Sequence, residues 1–595
     1  MRGASLLLVF LAAKLAVVWG HVAPLSGLAL VAYMWQDAAV ALAFAALDIG
    51  LEKLGATTRI AWSIYWAAAI YAAINIPVGR VLFTPLTRPM LRAARGPLAD
   101  SILQYVTASN TLLMVAVLAA AAVLPRLLKQ PPRQLVRWGT VCTIAVVLIG
   151  PVADSRVDTR GMDRNVITAL MGSGLPGTTM WPTTRLTTRA GAGDWRGSRF
   201  PTDWPTDDLA QFEGSARGLN IVMISLESTA AQYLPLYGAP GDGRQDPMPN
   251  LTALAQRAMV FENAYAVYPE SIKGLFSVLC SEFPAFDSRP EEYENAECGS
   301  VAAVLAGAGY RTAMFHSGRF DYLGMKSIIR HRGYQTLEDA GDIGGNHNSS
   351  FGVDEPATVA RMLAWIDSLP RGQRFFLTYL PIAGHHPYAT PERGPFQGAE
   401  EIDQYRNALH YGDASLGVLM EGLRVRGLEQ NTVWVIYGDH GEAFHQHEGN
   451  YGHTFFVYEE NIHVPLLIAA SGLMRRQERV RKVVSLVDTA PTILDLMGIP
   501  PPVSYQGRTM LDSEPRMALF FADYSLGLLG LRDGRWKFVY EIGSGRAKLF
   551  DLALDHPREK SDSSALEATR VSWYGQVVRA WCSAQKSYLS RRAVR

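Results

Sequence analysis

The chain has 595 residues, a formal charge of +1 and 19% charged residues. That length exceeds one ordinary core, so at least two folded units are expected, and the near-neutral balance gives no reason to propose nucleic acid as a partner, because that partner normally demands a basic surface. The average conceals an asymmetry: up to about residue 153 the sequence runs in long stretches of Ala, Val, Leu and Ile, and beyond it charged, Gly and Pro residues are interspersed as in a soluble domain.

Five stretches, about 5–21, 25–50, 60–78, 110–126 and 138–153, are apolar enough to span a bilayer. The first also reads as a secretory signal, but four more follow it, so anchoring does not depend on it. An odd number of spans puts the two ends of the membrane part on opposite sides. Arg126, Lys129, Arg133 and Arg137 precede the fifth span and mark that loop as cytoplasmic, which sets the polar domain outside. Arg80, Arg88, Arg92 and Arg95 run against this scheme: either the span count is in error or these arginines touch lipid phosphates at the outer headgroup layer. The second reading is preferred, since 84–110 is too polar for a missed span. Lys14 and Asp37 lie inside apolar runs, which reads as a functional or mutually paired site; the alternative is a snorkelling Lys14 and an Asp37 facing the bundle interior.

The division expected is therefore a helical membrane domain over 1–153, a linker over 154–217 and a folded domain over 218–595. The linker is rich in Gly, Pro, Thr and Arg without periodicity and reads as a segment that wraps rather than packs. Beyond it, apolar runs at 220–226, 374–380 and 432–438 predict buried strands, and 300–308, 355–368 and 405–424 predict helices. Such alternation implies an α/β sandwich around a mixed, largely parallel sheet, with ligand groups gathered at the carboxyl ends of its strands. Cys280 and Cys298 both fall in the polar part and are read equally as a disulfide or as two buried thiols; Cys142 lies in an apolar run and Cys582 has no evident partner.

Glu227 follows the first of these strands, and Asp439 and His440 follow the third, so all three are expected on one rim. Carboxylate and imidazole together suit zinc or manganese better than calcium, although an Asp-His pair taken alone is more often an ordinary hydrogen-bonded pair. Eight of the 13 histidines lie between His385 and His463, a local excess expected of a site that binds an anion or moves protons. His410 and His463 sit in apolar patterns and are read as packing residues, whereas His445 and His447 lie in a loop and are open to either reading.

The segments Asn220-Ile-Val-Met-Ile-Ser-Leu-Glu-Ser, Met248-Pro-Asn-Leu-Thr-Ala-Leu-Ala, Phe261-Glu-Asn-Ala-Tyr, Tyr437-Gly-Asp-His-Gly-Glu and Gly452-His-Thr-Phe-Phe-Val-Tyr-Glu resemble the sulfatase-type hydrolase domain of the alkaline phosphatase superfamily. So do Val484-Ser-Leu-Val-Asp-Thr-Ala-Pro-Thr and Lys548-Leu-Phe-Asp-Leu, and the resemblance covers about 218–560. With apolar spans in front, the chain most resembles lipoteichoic acid synthases and lipid A phosphoethanolamine transferases.

The resemblance implies an alkaline phosphatase-like fold, a divalent metal (zinc or manganese, with magnesium possible) held by Glu227, Ser271, Asp439 and His440, and Ser271 as nucleophile where the family often has Thr. His386 and His453 match histidines that hold non-bridging oxygens or protonate a leaving group, and His385 is an alternative to His386. His316, Arg319 and, among the loop histidines, His447 are weaker matches to substrate contacts.

Formylglycine sulfatases carry Pro and Arg two and four places after the nucleophile; this chain has Lys273 and Leu275, which argues against sulfate-ester hydrolysis. The implied activity is transfer of a phospho-headgroup from a membrane lipid to a glycan, lipid or water, in a bacterial plasma-membrane type protein with its catalytic domain outside. Two alternatives are a tethered hydrolase of sulfate or phosphate esters and a binding or transport module with an inert outer domain.

Overall fold

A computed structural model describes residues 2–19, 27–54, 58–82, 84–93, 107–129, 132–159, 161–172, 195–200, 207–238, 245–346, 352–555 and 558–592. They form two compact units: Met1–Thr184 with Tyr524–Leu526 and Ile542–Arg546, and Arg185–Asp523 with Gly527–Glu541 and Ala547–Arg595.

The first unit is a helical bundle of α1 (Arg2–Val18), α2 (Gly27–Lys53), α3 (Thr58–Leu82), α4 (Ala108–Leu127) and α5 (Arg133–Arg156). Among the described residues four helices, α2 to α5, are long and apolar enough to cross a membrane, against the expected five. The fifth, α1, is at the margin: its 17 described residues rise about 26 Å at 1.5 Å per residue, against a hydrocarbon core of about 30 Å. Its Leu6, Val9 and Phe10 pack with Tyr65, Ala69 and Ala72 of α3 and Ala121 of α4. Small residues permit close approach, as where a Cβ on Gly3 would lie 2.6 Å from that of Ala45. Tyr65 Oη donates to the Ala121 carbonyl at 2.8 Å and meets Ser5 Oγ at 2.8 Å.

Of the two readings for the ionisable residues, the structure has mutual pairing. Lys14 Nζ lies 2.6 Å from Asp37 Oδ2 and donates to the carbonyls of Tyr33 and Asp163, and Asn165 Nδ2 donates to Asp37 Oδ1 at 2.6 Å. Arg80 is held by protein, donating to Asn110 Oδ1 at 2.8 Å. Arg88 is exposed, and Arg95 lies outside the described residues.

The second unit is built on a nine-stranded sheet in the order β11-β2-β10-β6-β1-β5-β3-β4, with β9 paired to β2. The strands are β1 (Asn220–Leu226), β2 (Ala258–Tyr265), β3 (Arg311–His316), β4 (Thr336–Glu338), β5 (Phe375–Leu380), β6 (Thr432–Gly438), β9 (His463–Val464), β10 (Leu466–Ala469) and β11 (Glu478–Ser485). Between β6 and β9 in sequence, β7 (Ala443–Phe444) and β8 (Tyr451–Gly452) form a separate small ribbon. Every residue of β1, β5 and β6 is buried, as continuous apolar runs require when helices cover both faces. The sheet is largely parallel as expected; β10 is antiparallel to both β2 and β6 and makes it mixed.

On one face, Met362 and Trp365 of α7 (Glu355–Asp367) and Leu409, Leu416 and Leu419 of α8 (Glu401–Val425) share a core with Val222, Ile224, Leu377 and Ile436. Four antiparallel strands, β12 (Ala518–Ala522), β13 (Leu528–Asp533), β14 (Trp536–Glu541) and β15 (Ala547–Asp551), form another sheet. Parts of the segment preceding β1 are tied down: Arg196 Nη1 pairs with Asp488 Oδ1 at 2.7 Å with both side chains buried, and Gly214 and Ala216 donate to the carbonyls of Asp495 and Leu496.

Cys280 is bonded to Cys298, resolving the open pairing in favour of the disulfide. A crosslink over a sequence separation of 18 lowers unfolded-state entropy by an amount worth about 3 kcal/mol. Replacing both cysteines by serine is expected to lower the thermal midpoint of this unit, and peptide mapping without reductant is expected to recover a linked pair. Unchanged melting together with free thiols in the wild type would refute the assignment.

Candidate metal and nucleophile site

The site begins with strand register. β1 and β6 run parallel with Leu226 opposite Gly438, so Glu227 and Asp439 leave adjacent strands at the same height. Ser228 turns through a left-handed conformation (φ 52°), which aims its N–H at Asp439 Oδ1 at 3.0 Å; the His440 N–H meets the same oxygen at 2.7 Å. The segment after β5 passes so close that a Cβ on Gly384 would lie 2.1 Å from the Glu227 carbonyl, a position only glycine tolerates. Ser271 is the first residue of α6 (Ser271–Cys280), whose N-cap Glu270 accepts from the Ile272 N–H.

These elements bring the four residues together. Ser271 Oγ donates to Glu227 Oε2 at 3.0 Å and lies 3.3 Å from His440 Nε2. His440 Nε2 is 3.5 Å from Glu227 Oε1 and 3.6 Å from Asp439 Oδ2, and one donor atom from each of these three residues lies within 4.8 Å of the others. His440 Nδ1 is 2.9 Å from the Gly441 carbonyl. A carbonyl only accepts, so Nδ1 carries a hydrogen and Nε2 is the atom turned to the carboxylates, the tautomer a metal ligand needs.

The charges point the same way. Burial and the neighbouring Glu227 charge push the Asp439 carboxyl up to about 7. Burial also opposes charge on Glu227, yet its hydrogen bond to His440 and the charge of that ring hold it below the usual carboxylate range. Burial disfavours a charged His440, but the Asp439 and Glu227 carboxylates outweigh it and push the imidazole up to about 10. Two buried carboxylates thus draw a positive charge into the cluster, and a divalent cation with His440 as neutral ligand would supply it. The donor set fits zinc or manganese.

Around the cluster the other histidines divide. His453 lies against His440, ring centres 4.1 Å apart, with Nδ1 2.8 Å from Glu442 Oε2. His385 is charge-coupled to Glu227, as are His453 and the buried His316, whose Nδ1 donates to the Leu380 carbonyl at 2.9 Å. His386 lies within charge reach of Glu442 and His453; its Nε2 is 3.6 Å from Glu401 Oε1 and its ring meets Tyr388 edge-on. Arg319 is half-buried, and its guanidinium lies beside Gly341.

Both ring nitrogens of His447 are engaged, Nδ1 at 2.6 Å from Glu460 Oε1 and Nε2 at 2.7 Å from the Arg558 carbonyl. His463 stacks on Tyr265 and donates to the Glu262 carbonyl, a packing residue; His410 is half-buried on α8.

Three further participants escaped the sequence. Glu442 orients His453, and its place in Asp439-His-Gly-Glu was the available signal. Glu270 caps α6 beside Ser271, and burial pushes its carboxyl up to about 7. Asp523 holds buried Lys273 at 2.8 Å and accepts from Tyr268 Oη at 2.5 Å; it is 250 residues from Lys273 and carries no local signature.

Residues 219–499 match the family model described as Sulfatase. Lipoteichoic acid synthase 2 of Bacillus subtilis is 26% identical over 305 residues, 48% of this chain and 46% of that protein. Arylsulfatase K of Bos taurus is 34% identical over 172 residues, 26% of this chain and 31% of that protein. The chain spans half or less of the length of these curated relatives. Among solved structures, the lipoteichoic acid synthase LtaP from Listeria monocytogenes aligns with a TM-score of 0.51 at 17% identity, over 65% of this chain and 96% of that one. A protein in the alkaline phosphatase superfamily from Vibrio parahaemolyticus aligns with a TM-score of 0.51 at 20% identity, over 66% and 92%. The chain carries a sulfatase domain with an alkaline phosphatase-like fold, behind N-terminal apolar helices, and is homologous to the lipoteichoic acid synthases.

Proposed function

We propose that this chain is a membrane-anchored, metal-dependent phosphotransferase that moves a phospho-headgroup from a membrane lipid through a covalent intermediate on Ser271. The observation that carries the reading is the place of Ser271 Oγ: at the N-terminus of α6, 3.0 Å from Glu227 and 3.3 Å from His440, inside a cluster with the donors for a divalent cation. Such a cation, when bound, lowers the hydroxyl pKa and offsets charge on the phosphoryl oxygens.

Glu227, Asp439 and His440 hold the site, and the α6 N-terminus adds its partial positive charge at the nucleophile. Ser271 Oγ, its proton passed to solvent, attacks phosphorus; the bond from phosphorus to the lipid alcohol breaks and the alcohol takes up a proton. The Glu442 carboxylate holds the Nδ1–H of His453 and leaves Nε2 to give the departing alcohol a proton. His385 or His386, with His316 and Arg319, orient the non-bridging oxygens. An acceptor hydroxyl from a glycan, a lipid or water then attacks the phosphorus on Ser271, gives its proton to His453 Nε2, and the Ser271 Oγ–phosphorus bond breaks to restore Ser271. We place the catalytic domain, 218–595, outside the cytoplasm, joined by the linker 154–217 to the membrane domain 1–153.

Serine with Lys273 and Leu275 after it departs from the formylglycine pattern, and Lys273 is buried against Asp523, which favours an unmodified alkoxide. The second reading, a sulfate- or phosphate-ester hydrolase, is favoured by the 34% identity to Arylsulfatase K over 172 residues. Parallel assays on phospholipid, aryl sulfate and aryl phosphate separate the two.

Ser271→Ala is expected to lower headgroup release by about a thousandfold or more, and the wild type to show a phospho-adduct on Ser271 by intact mass. Equal rates in both proteins would refute the nucleophile. Asp439→Asn should lower bound zinc or manganese by about one equivalent per chain in elemental analysis; unaltered content would sink the metal assignment. Glu442→Gln should reduce kcat about 10- to 100-fold with little change in KM, since it orients His453 rather than binding substrate. A fall confined to KM would contradict that role.

A further inference from the structure

A second group of buried charges lies in the same unit. Glu459 and Glu460 are on one helical turn, Glu459–Ile462, and are 1% and 0% exposed. A buried carboxylate is costly unless paired, so its partners decide its state. Lys537 Nζ, fully buried, lies 3.0 Å from Glu459 Oε1 and 2.8 Å from Glu559 Oε1. Glu559 Oε2 accepts from the Glu459 N–H at 2.6 Å, and Tyr265 Oη donates to Glu459 Oε2. One ammonium therefore answers two of the three carboxylates.

Glu460 is the third. Its Oε1 meets His447 Nδ1 at 2.6 Å and accepts from Asn450 Nδ2 at 2.8 Å, while its Oε2 is buried without a hydrogen-bond partner among the described residues. His447 lies flat on Tyr458, ring centres 3.9 Å apart. Its Nε2 faces the Arg558 carbonyl at 2.7 Å and so carries a hydrogen, which leaves Nδ1, now turned to Glu460 Oε1, as the atom that could take a metal once its own proton is displaced. One donor atom from each of His447, Glu460 and Glu559 lies within 4.8 Å of the others.

The geometry points to a second metal site, separate from the Ser271 cluster, in which His447 Nδ1, Glu460 and Glu559 bind a divalent cation of the zinc or manganese class. Imidazole with two carboxylates selects that class over calcium. Binding exchanges the proton between His447 Nδ1 and Glu460 for the cation and releases it to solvent. It also gives the orphaned Glu460 oxygen a partner.

The role that follows is a brace. Asn450 and Asn461 bond to each other, and the Asn461 carbonyl accepts from the Gly441 N–H at 2.8 Å, so the segment carrying His453 is tied between this site and the first. A cation here would fasten that segment to Glu559, from the distant C-terminal part of the chain.

The test is elemental analysis of purified full-length protein loaded with zinc alone and dialysed, for wild type, Asp439→Asn, Glu559→Gln and the double variant. The site requires about two equivalents in the wild type, about one in each single variant and none in the double. One equivalent in the wild type, lost in Asp439→Asn and kept in Glu559→Gln, overturns it and leaves the first site standing. One equivalent lost only in Glu559→Gln supports it while removing the Ser271 metal assignment. Should Glu559→Gln fail to fold, anomalous scattering at the zinc edge from wild-type crystals decides: a peak about 2.0–2.2 Å from His447 Nδ1 supports the site and its absence overturns it.

Discussion

Two parallel strands in one register place two carboxylates where neither is comfortable alone, and the rest of the site answers that constraint. With Leu226 opposite Gly438, Glu227 and Asp439 emerge together; a slip of one residue between β1 and β6 would turn one of them to the opposite face. The register is fixed by burial, because all residues of both strands are in the core and no polar face offers an alternative pairing. Sequence pattern, packing and site geometry are in this respect a single fact.

Holding such charge in a dry place requires donors, and the fold supplies them mainly from its backbone. Asp439 takes the N–H groups of Ser228 and His440 on one oxygen and keeps the other toward the His440 ring. Backbone carbonyls also assign the histidines. Gly441, Leu380 and Arg558 each take one ring nitrogen, of His440, His316 and His447, and so determine which nitrogen is left over. His453 differs because its partner is the Glu442 carboxylate, which stabilises a protonated ring as a carbonyl does not. Identical side chains acquire separate roles from the oxygen beside one of their nitrogens.

What was legible in the sequence follows the same line. β1, β5 and β6 announce themselves as apolar runs, and Glu227, Asp439 and His440 are found because they stand where those runs stop. The helices over 355–367 and 401–425 follow from their period. β10 is not legible as an antiparallel strand inserted between β2 and β6, since four apolar residues carry no sense of direction. Nor are the pairs Lys273 with Asp523, Lys537 with Glu559 or Arg196 with Asp488, each joined across a separation that local pattern does not register. The adjacent His385 and His386 could not be told apart from sequence because their charged neighbours come from distant segments: Glu227 acts on the first, and Glu401 and Glu442 on the second. The first helix fell short for a plainer reason, its length being at the margin of what a bilayer asks.

Charge arithmetic limits what the proposed site would accept. Two carboxylates, a divalent cation and a neutral His440 sum to zero, and burial lowers the readiness of His316, His386 and His453 to carry charge. Such a site favours a singly charged ester over a doubly charged one, because each further negative charge would need a compensating cation in a region of low dielectric. A phosphodiester headgroup and a sulfate monoester both carry one negative charge, so the metal cluster by itself separates neither. Their discrimination falls to the nucleophile and to the surface that receives the leaving alcohol. At the proposed nucleophile, a serine at a helix N-terminus with its lysine withdrawn to Asp523 would suit direct attack on phosphorus.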